Sequence, residues 1–312
     1  HGLYVESGCY SGFLANVIGN ATVTNLHFKN AFVRGASNGC SPAVIIGAVN
    51  GTSTVRSTAT VKNCTVDNAY VFSDNTGSWR NGIVVGGGFN EGQIKVLNCA
   101  VTNSRGVITN TSTEKRTAAF IGNTNYTTTH LIQNCFTDSS MHPVTNATTS
   151  ANYNVIHDNK NYKNVYTSAA QPTWDTNGDI TYLTDEQMKG ENAKINMPTL
   201  SFKYIWQTVD NGYPEINVRG EIWDGTNNLT DFSTFKGAGT HENPYLIENG
   251  NQLAFAVTKS GNELHYKLAN DIVLNDTSVA GWEETANGWY QNSSYRFNGE
   301  MDGDGHTIEG LY

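Results

Sequence analysis

The chain has 312 residues, of which 15% are charged and 38% hydrophobic, with 31 Gly and a formal net charge of -9. That is turn-rich β material, too regularly mixed for disorder and long enough for one solenoid or two ordinary domains. Its 19 Lys and Arg are scattered without a basic stripe, which argues against nucleic acid and acidic membrane surfaces as partners, and no apolar run approaches the roughly 18 residues of a membrane span.

The chain opens on His1 without a charged and apolar leader, so it reads as a mature piece or an excised fragment. From there to about residue 165 it is repetitive. Val23-Thr-Asn-Leu-His-Phe-Lys-Asn30 recurs as Val61-Lys-Asn-Cys-Thr-Val-Asp-Asn68, as Val96-Leu-Asn-Cys-Ala-Val-Thr-Asn103 and, more loosely, as Ile132-Gln-Asn-Cys-Phe-Thr-Asp-Ser139. The third-position residues Asn25, Asn63, Asn98 and Asn134 are separated by 38, 35 and 36 positions, a period that belongs to stacked repeats.

A second motif keeps step: Phe13-Leu14-Ala15, Ile45-Ile46-Gly47, Val84-Val85-Gly86 and Phe120-Ile121-Gly122, at intervals of 32, 39 and 36. A third follows the Asn motif, as Asn30-Ala-Phe-Val33 and Asn68-Ala-Tyr-Val71. Three short β-type segments per repeat describe one coil of a parallel β-helix better than a propeller blade, which needs four strands.

Alternation inside the Asn motif breaks at Asn63, because Val61 and Cys64 are three apart whereas Cys64 and Val66 are two apart. The Asn is therefore expected at a corner, in left-handed backbone, with its amide stacked on those of neighbouring coils. Leu26, Cys64, Cys99 and Cys135 then form one inward column, and Phe28, Val66, Val101 and Thr137 the next. The Cys spacing is that of the coils and no Cys-x-x-Cys occurs, so the column is read as buried free thiols rather than as a metal or redox site. Cys9 and Cys40 precede the Gly-type strands of adjacent coils, an arrangement open either to a disulfide or to two thiols.

From about 166 to 220 the rhythm stops. Thr184-Asp-Glu-Gln187 reads as a capping box opening a short helix that Gly190 ends. The segment Leu183-Thr184-x-x-Gln187-Met188-Lys189-Gly190, then Phe202, Trp206 and Gly212-Tyr213-Pro214, resembles the one that closes repeat units in bacterial surface proteins carrying GLUG-type repeats. The Gly-type and Asn-Cys motifs look like those repeats themselves, with the usual Gly-Gly-Leu-Val-Gly degraded to Ala43-Val-Ile-Ile-Gly47 or Ala118-Ala-Phe-Ile-Gly122.

Residues 221 to 312 carry Phe235-Lys-Gly-Ala-Gly-Thr240, Asn243-Pro-Tyr-Leu-Ile247, Leu253-Ala-Phe-Ala-Val257, Tyr266-Lys-Leu-Ala-Asn-Asp-Ile272 and Asp302-Gly-Asp-Gly-His-Thr-Ile-Glu-Gly-Leu-Tyr312. In the same surface proteins this order looks like the opening of a unit. Gly2-Leu3-Tyr4 also matches Gly310-Leu311-Tyr312 at an offset of 308.

The expected architecture is an all-β, right-handed parallel β-helix: coils over 1–165, a cap or linker with a short helix over 166–220, and the opening coils of a further unit over 221–312. Gly2, Leu3, Tyr4, Gly310, Leu311 and Tyr312 mark its expected assembly ends.

Chemistry is sparse. Outward positions give the columns Lys29, Asp67, Thr102, Asp138 and His27, Thr65, Ala100, Phe136. Asp67 and Asp138 lie two rungs apart, roughly 9 to 10 Å, at the edge of the separation for an inverting glycosidase, but no third acid or Arg accompanies them and Lys29 is placed to pair with Asp67. Asp302-Gly-Asp-Gly-His306 suggests calcium but lacks a third oxygen ligand, and reads as a turn. Trp79, Trp174, Trp223, Trp282 and Trp289 could stack on sugars or pack beneath loops.

No catalytic, cofactor or metal motif emerges. The expected function is an extracellular structural or adhesive module of a bacterial surface, partnered head-to-tail by copies of itself or an adjoining repeat unit, with binding of host or matrix glycans and polysaccharide cleavage as the alternatives.

Overall fold

In the computed structural model every residue is described except 9, 37–40, 53, 55, 75–79, 110–115, 125–129, 141–160, 172–179, 260–262 and 290–296. The chain forms two compact units, His1–Leu200 with Gln207–Ile216, and Ser201–Trp206 with Asn217–Tyr312. Both are stacks of parallel strands, and the fold is a parallel β-solenoid.

In the first unit β1 (Tyr4–Ser7) precedes a coil of β2 (Leu14–Val17), β3 (Asn20–Thr24), β4 (His27–Lys29) and β5 (Phe32–Gly35). The next coil repeats it with β6 (Ile46–Asn50), β7 (Ser57–Lys62), β8 (Thr65–Asp67) and β9 (Tyr70–Ser73). A third adds β10 (Arg80–Gly82) before β11 (Val85–Phe89), β12 (Gly92–Leu97), β13 (Ala100–Thr102) and β14 (Arg105–Ile108). A fourth has β15 (Arg116–Ala118), β16 (Ile121–Thr124) and β17 (Leu131–Thr137). Its β17 is long enough to pair with both β12 and β13.

Strands of one kind stack in register. Val23, Val61, Val96 and Ile132 are successive partners, as are Leu14, Ile46, Val85 and Ile121. These are the motif positions aligned by sequence. In the first three coils the corner Asn nevertheless splits its own motif into two strands, while in the fourth β17 runs through Asn134 and joins the two columns in one sheet. Parallel pairing between coils, which a propeller blade does not make, keeps the architecture a solenoid.

The corners explain the split. Asn25, Asn63, Asn98 and Asn134 have φ of 59°, 53°, 51° and 54°, a region where a short polar side chain is tolerated far better than a branched one. Each corner advances the inward phase by one residue, so Val61 and Cys64 both point inward although three apart. Asn63 Nδ2 donates to Asn25 Oδ1 at 3.2 Å, Asn98 Nδ2 to Asn63 Oδ1 at 3.1 Å, and Asn164 Nδ2 to Asn134 Oδ1 at 3.0 Å.

A second corner, not expected from sequence, repeats the device at Asn30, Asn68 and Asn103, with φ of 58°, 53° and 50°. There Asn68 Nδ2 donates to Asn30 Oδ1 at 2.6 Å and Asn103 Nδ2 to Asp67 Oδ1 at 2.7 Å. Gly2 continues this column: the Tyr4–Phe32 register sets it beside Asn30, its φ is 73°, and its N–H donates to Lys29 O.

The interior consists of rows. Val61, Val66, Val71, Ile94, Val96 and Val101 are fully buried, each contributing about 1.5–3 kcal/mol by leaving water. The stack continues past residue 165, where sequence placed its end, because β18 (Tyr162–Thr167) pairs with β17 and β19 (Ile180–Tyr182) with β18.

Thr184 and Gln187 do form a capping box, with Gln187 N to Thr184 Oγ1 at 3.2 Å and Thr184 N to Gln187 Oε1 at 2.8 Å. It caps a single turn and not a helix, since Gly190 at φ 56° reverses the backbone, and the helix that follows is α1 (Asn192–Asn196). The hairpin β20 (Trp206–Val209) and β21 (Gly212–Ile216) comes next.

The second unit is smaller and more aromatic. Its β22 (Tyr245–Ile247) leads into α2 (Gly250–Ala256), whose N-terminus is capped by Asn249 Oδ1 accepting from Gln252 N at 3.0 Å. Then follow β23 (Leu264–Leu268), β24 (Ile272–Val273), the short α3 (Trp282–Thr285), β25 (Gly299–Asp302) and β26 (Ile308–Glu309). Parallel pairs Leu264–Gly299 and Ile272–Ile308 keep offsets of 35 and 36 residues, the coil period of the first unit. Trp223, Phe235, Ile247, Phe255, Tyr266 and Leu268 make its core, with Phe232 stacked on Tyr245 at 4.4 Å.

One buried imidazole stands apart from these rows. His130 is fully buried, accepts a hydrogen bond from Ile94 N at Nδ1 (3.1 Å), and is held by burial at a pKa of about 4 against an ordinary 6.5. The unfolded chain binds this proton below about 6.5 and the folded chain only near 4. Stability is therefore complete above about pH 6.5 and falls as pH drops towards 4, by up to about 3 kcal/mol. Denaturant unfolding of wild type and His130→Gln across that window should show the extra acid sensitivity in the wild type alone.

The corner has its own signature. Asn63→Ala should destabilise by about 3–4 kcal/mol, combining about 1–2 for alanine in left-handed backbone with about 1 for each of its two lost amide bonds. Asn63→Gly, which relieves only the backbone, should cost about 1–2 kcal/mol less in the same urea titration.

Candidate functional site

The two carboxylates, Asp67 and Asp138, are each engaged by hydrogen-bond partners of their own. Asp67 Oδ1 accepts from Thr102 Oγ1 at 2.9 Å and from Asn103 Nδ2 at 2.7 Å. Asp138 is buried, taking Asn103 N at 2.7 Å on one oxygen and Ser140 N at 3.1 Å, with the Ser140 hydroxyl, on the other. Asp138 thus caps the end of β13, while Asp67 bonds side chains of the next coil. The outward column also turns inward at its far end, where Ala100 and Phe136 are buried. Lys29 pairs with Glu215 at 3.6 Å in place of the expected Asp67, and His27 Nδ1 lies 2.9 Å from Thr65 Oγ1.

Cys64, Cys99 and Cys135 are free thiols in the interior, with Leu26 half-buried above them. Their Sγ atoms donate to the carbonyls of Lys62, Leu97 and Gln133 at 3.2, 3.2 and 3.1 Å. The neighbouring Cys99 and burial push the Cys64 thiol well up, and burial does the same to Cys99. Thiols so held are poor nucleophiles and poor metal ligands. Cys9 and Cys40, expected either as a disulfide or as two thiols, lie outside the described residues.

The Asp302–His306 segment is a turn. Asp304 stands at φ 46°, its N–H donates to Asp302 Oδ1 at 2.9 Å, and its carboxylate pairs with Lys267 at 2.9 Å. His306 Nδ1 lies 3.2 Å from Asp271 Oδ1. Each carboxylate has its own partner, and the carboxylates are held apart by them.

Of the aromatics, Trp79 and Trp174 lie outside the described residues. Trp223 is buried with its ring 5.4 Å from that of Trp289, while Trp282 meets Tyr312 edge-on at 5.7 Å. Each of these three rings has an aromatic neighbour, and Trp282 and Trp289 are half-buried.

The surface has two distinctive features. At the β1–β4 edge of the first unit, Tyr4, Phe13 and Ile18 are exposed, and no described strand pairs with the outer side of these strands. In the second unit Phe297, Ile308, Leu311 and Tyr312 are exposed around β25 and β26. Gly310 there has φ 75°, and a Cβ on it would lie 2.2 Å from Asn275 O. Thr307-Ile-Glu-Gly-Leu-Tyr312 matches the pattern of His27-Phe-Lys-Asn-Ala-Phe32, with Gly310 at the place of Asn30 and, like it, in left-handed backbone.

The second feature, not anticipated from sequence, joins His241, His265 and Glu300. The two Nδ1 atoms lie 3.2 and 3.0 Å from the same Glu300 Oε2, and the rings are 5.2 Å apart. Hydrogen bonds from His265 and then His241 hold the Glu300 carboxyl below its ordinary range. The three residues are 24 and 35 positions apart, with no short motif to draw attention to them. The 35-residue step is itself one coil period, and that was the available signal.

No protein-family model matches the chain, and no solved structure matches it. Among curated proteins the chain is similar to one described as a Gly-rich membrane protein from Evansella cellulosilytica, with 36% identity over 86 residues. That match takes in 26% of this chain and 9% of that protein. No described helix of this chain is long and apolar enough to cross a membrane.

Proposed function

We propose that the chain is a structural or adhesive module of the bacterial cell exterior that associates head-to-tail, the β25–β26 edge of one unit meeting the β1–β4 edge of another copy or of an adjoining repeat unit. One observation carries this reading: among the described residues two coil edges each leave strand backbone and large apolar side chains uncovered, and Gly2 and Gly310, at matching places in Gly2-Leu3-Tyr4 and Gly310-Leu311-Tyr312, both have left-handed backbone with φ of 73° and 75°. Exposed parallel strand edges are templates for another strand, and a contact between unlike surfaces that does not close on itself generates a filament.

The resemblance to GLUG-repeat surface proteins supports an extracellular setting. The hydrogen bonds that occupy Asp67 and Asp138 support a non-enzymatic role. The local packing of Trp223, Trp282 and Trp289 gives no particular support to glycan binding.

The chain should associate with rising concentration in sedimentation velocity and form linear particles in negative-stain electron microscopy. Charges placed at either edge, Tyr4→Lys with Ile18→Lys or Leu311→Lys with Tyr312→Lys, should each abolish association while leaving the circular dichroism spectrum intact. A wild-type chain that stays monomeric throughout, or association untouched by both pairs of substitutions, would overturn the reading.

A further inference from the structure

We propose that His241, His265 and Glu300 form a binding site for a divalent transition metal of the zinc type, one that ties three separate segments of the second unit together. This inference rests on the second unit alone and is independent of the association proposed above.

Three different constraints bring the side chains to one point. His265 in β23 and Glu300 in β25 are direct partners in the parallel ladder, so their side chains emerge side by side on one face. His241 arrives from the turn before β22. That turn is closed by Ala238 N to Asn243 O at 3.0 Å and Asn243 N to Thr240 Oγ1 at 3.1 Å, and it is bound to β23 by His265 N donating to Gly239 O at 3.0 Å. Gly239 itself has φ 74°, with the Tyr245 ring 2.5 Å from where a Cβ would stand. The turn is therefore held against β22 and β23 by its backbone, and the position of His241 does not depend on its own side chain.

The distances suit a metal. Ligands about 2.0–2.1 Å from a tetrahedral zinc are about 3.3–3.4 Å from one another. The two imidazole nitrogens stand 3.2 and 3.0 Å from Glu300 Oε2, and one ligand atom from each of the three residues lies within 4.8 Å of the others. Only a small outward movement of long, partly exposed side chains is needed to admit the ion.

Donor chemistry selects the class. Two imidazoles and one carboxylate favour zinc and its neighbours over calcium or magnesium, which prefer oxygen. A neutral imidazole presents the lone pair of one ring nitrogen to an ion and keeps its proton on the other. Three protein ligands leave a fourth position for water or an external ligand. No Lys or Arg competes for Glu300 among the described ion pairs; the two histidines are its partners there.

The experiment uses the tag-free full chain, stripped with chelator and titrated with zinc chloride in a calorimeter. One equivalent should bind to the second unit's site, and the thermal transition should rise with zinc and return on adding chelator. His241→Ala and His265→Ala should each weaken that binding roughly tenfold or more, a loss seen even for outer-shell partners of a metal ligand, and should remove the zinc-dependent thermal shift. Because His241 is exposed and His265 stands at the surface with 26% of its side chain accessible, these variants should keep the wild-type circular dichroism spectrum. His27→Ala, at an exposed imidazole elsewhere, should leave binding unchanged. Failure of the wild type to bind zinc, or binding of equal strength in the His241→Ala/His265→Ala double variant, would overturn the assignment.

Discussion

The structure depends on one constraint: in a parallel stack each residue lies over its counterpart one coil away, so every position in the repeat must be acceptable against itself. Apolar residues meet this condition without difficulty, and Val23, Val61, Val96 and Ile132 form a row whose members are interchangeable. Polar residues meet it only if they both donate and accept, as a carboxamide does. Asn63 accepts from Asn98 while donating to Asn25, and its short side chain is also tolerated at the left-handed corner. The same residue type thus turns the chain and bonds the coils.

That constraint also governs where chemistry can reside. Charged side chains stacked on themselves would repel, so the outward columns mix Lys29, Asp67 and Thr102, with hydroxyls and amides taking up the carboxylates. Inward polar groups survive where they replace a ladder bond, as the buried His130 does by accepting from Ile94 N. The coil edges are different, for there the row has no next member among the described strands. Tyr4, Phe13 and Ile18 at one edge, and Leu311 and Tyr312 at another, stand where a further coil would otherwise cover them.

Much of this was legible in the residues. Motif spacing aligned Leu14 with Ile46, Val85 and Ile121, and those residues are ladder partners. The break in alternation at Asn63 located a left-handed corner. The second corner at Asn68 obeys the same rule, with Val66 and Ala69 three apart and both buried, but it falls where one motif was taken to end. Stacking beyond residue 165 was hidden because β18 and β19 keep the sheet while abandoning the Asn-Cys wording, and Asn164 at φ 56° is the trace that remains. The expected helix after Thr184 shrank to a turn because Gly190 reverses the chain too soon for a second turn to form.

The sequence by itself determined the parallel β-solenoid, its period and its inward rows, because a stacked repeat writes its geometry into spacing: what touches in space recurs at a fixed interval along the chain. Only the tertiary structure decided which outward side chains meet, because those contacts depend on turn geometry and not on the repeat. Lys29 pairs with Glu215 instead of Asp67, and Asp138 is drawn inward to cap Asn103 N. His241 reaches His265 and Glu300 through a turn closed by its own backbone hydrogen bonds, a position that no interval in the sequence encodes.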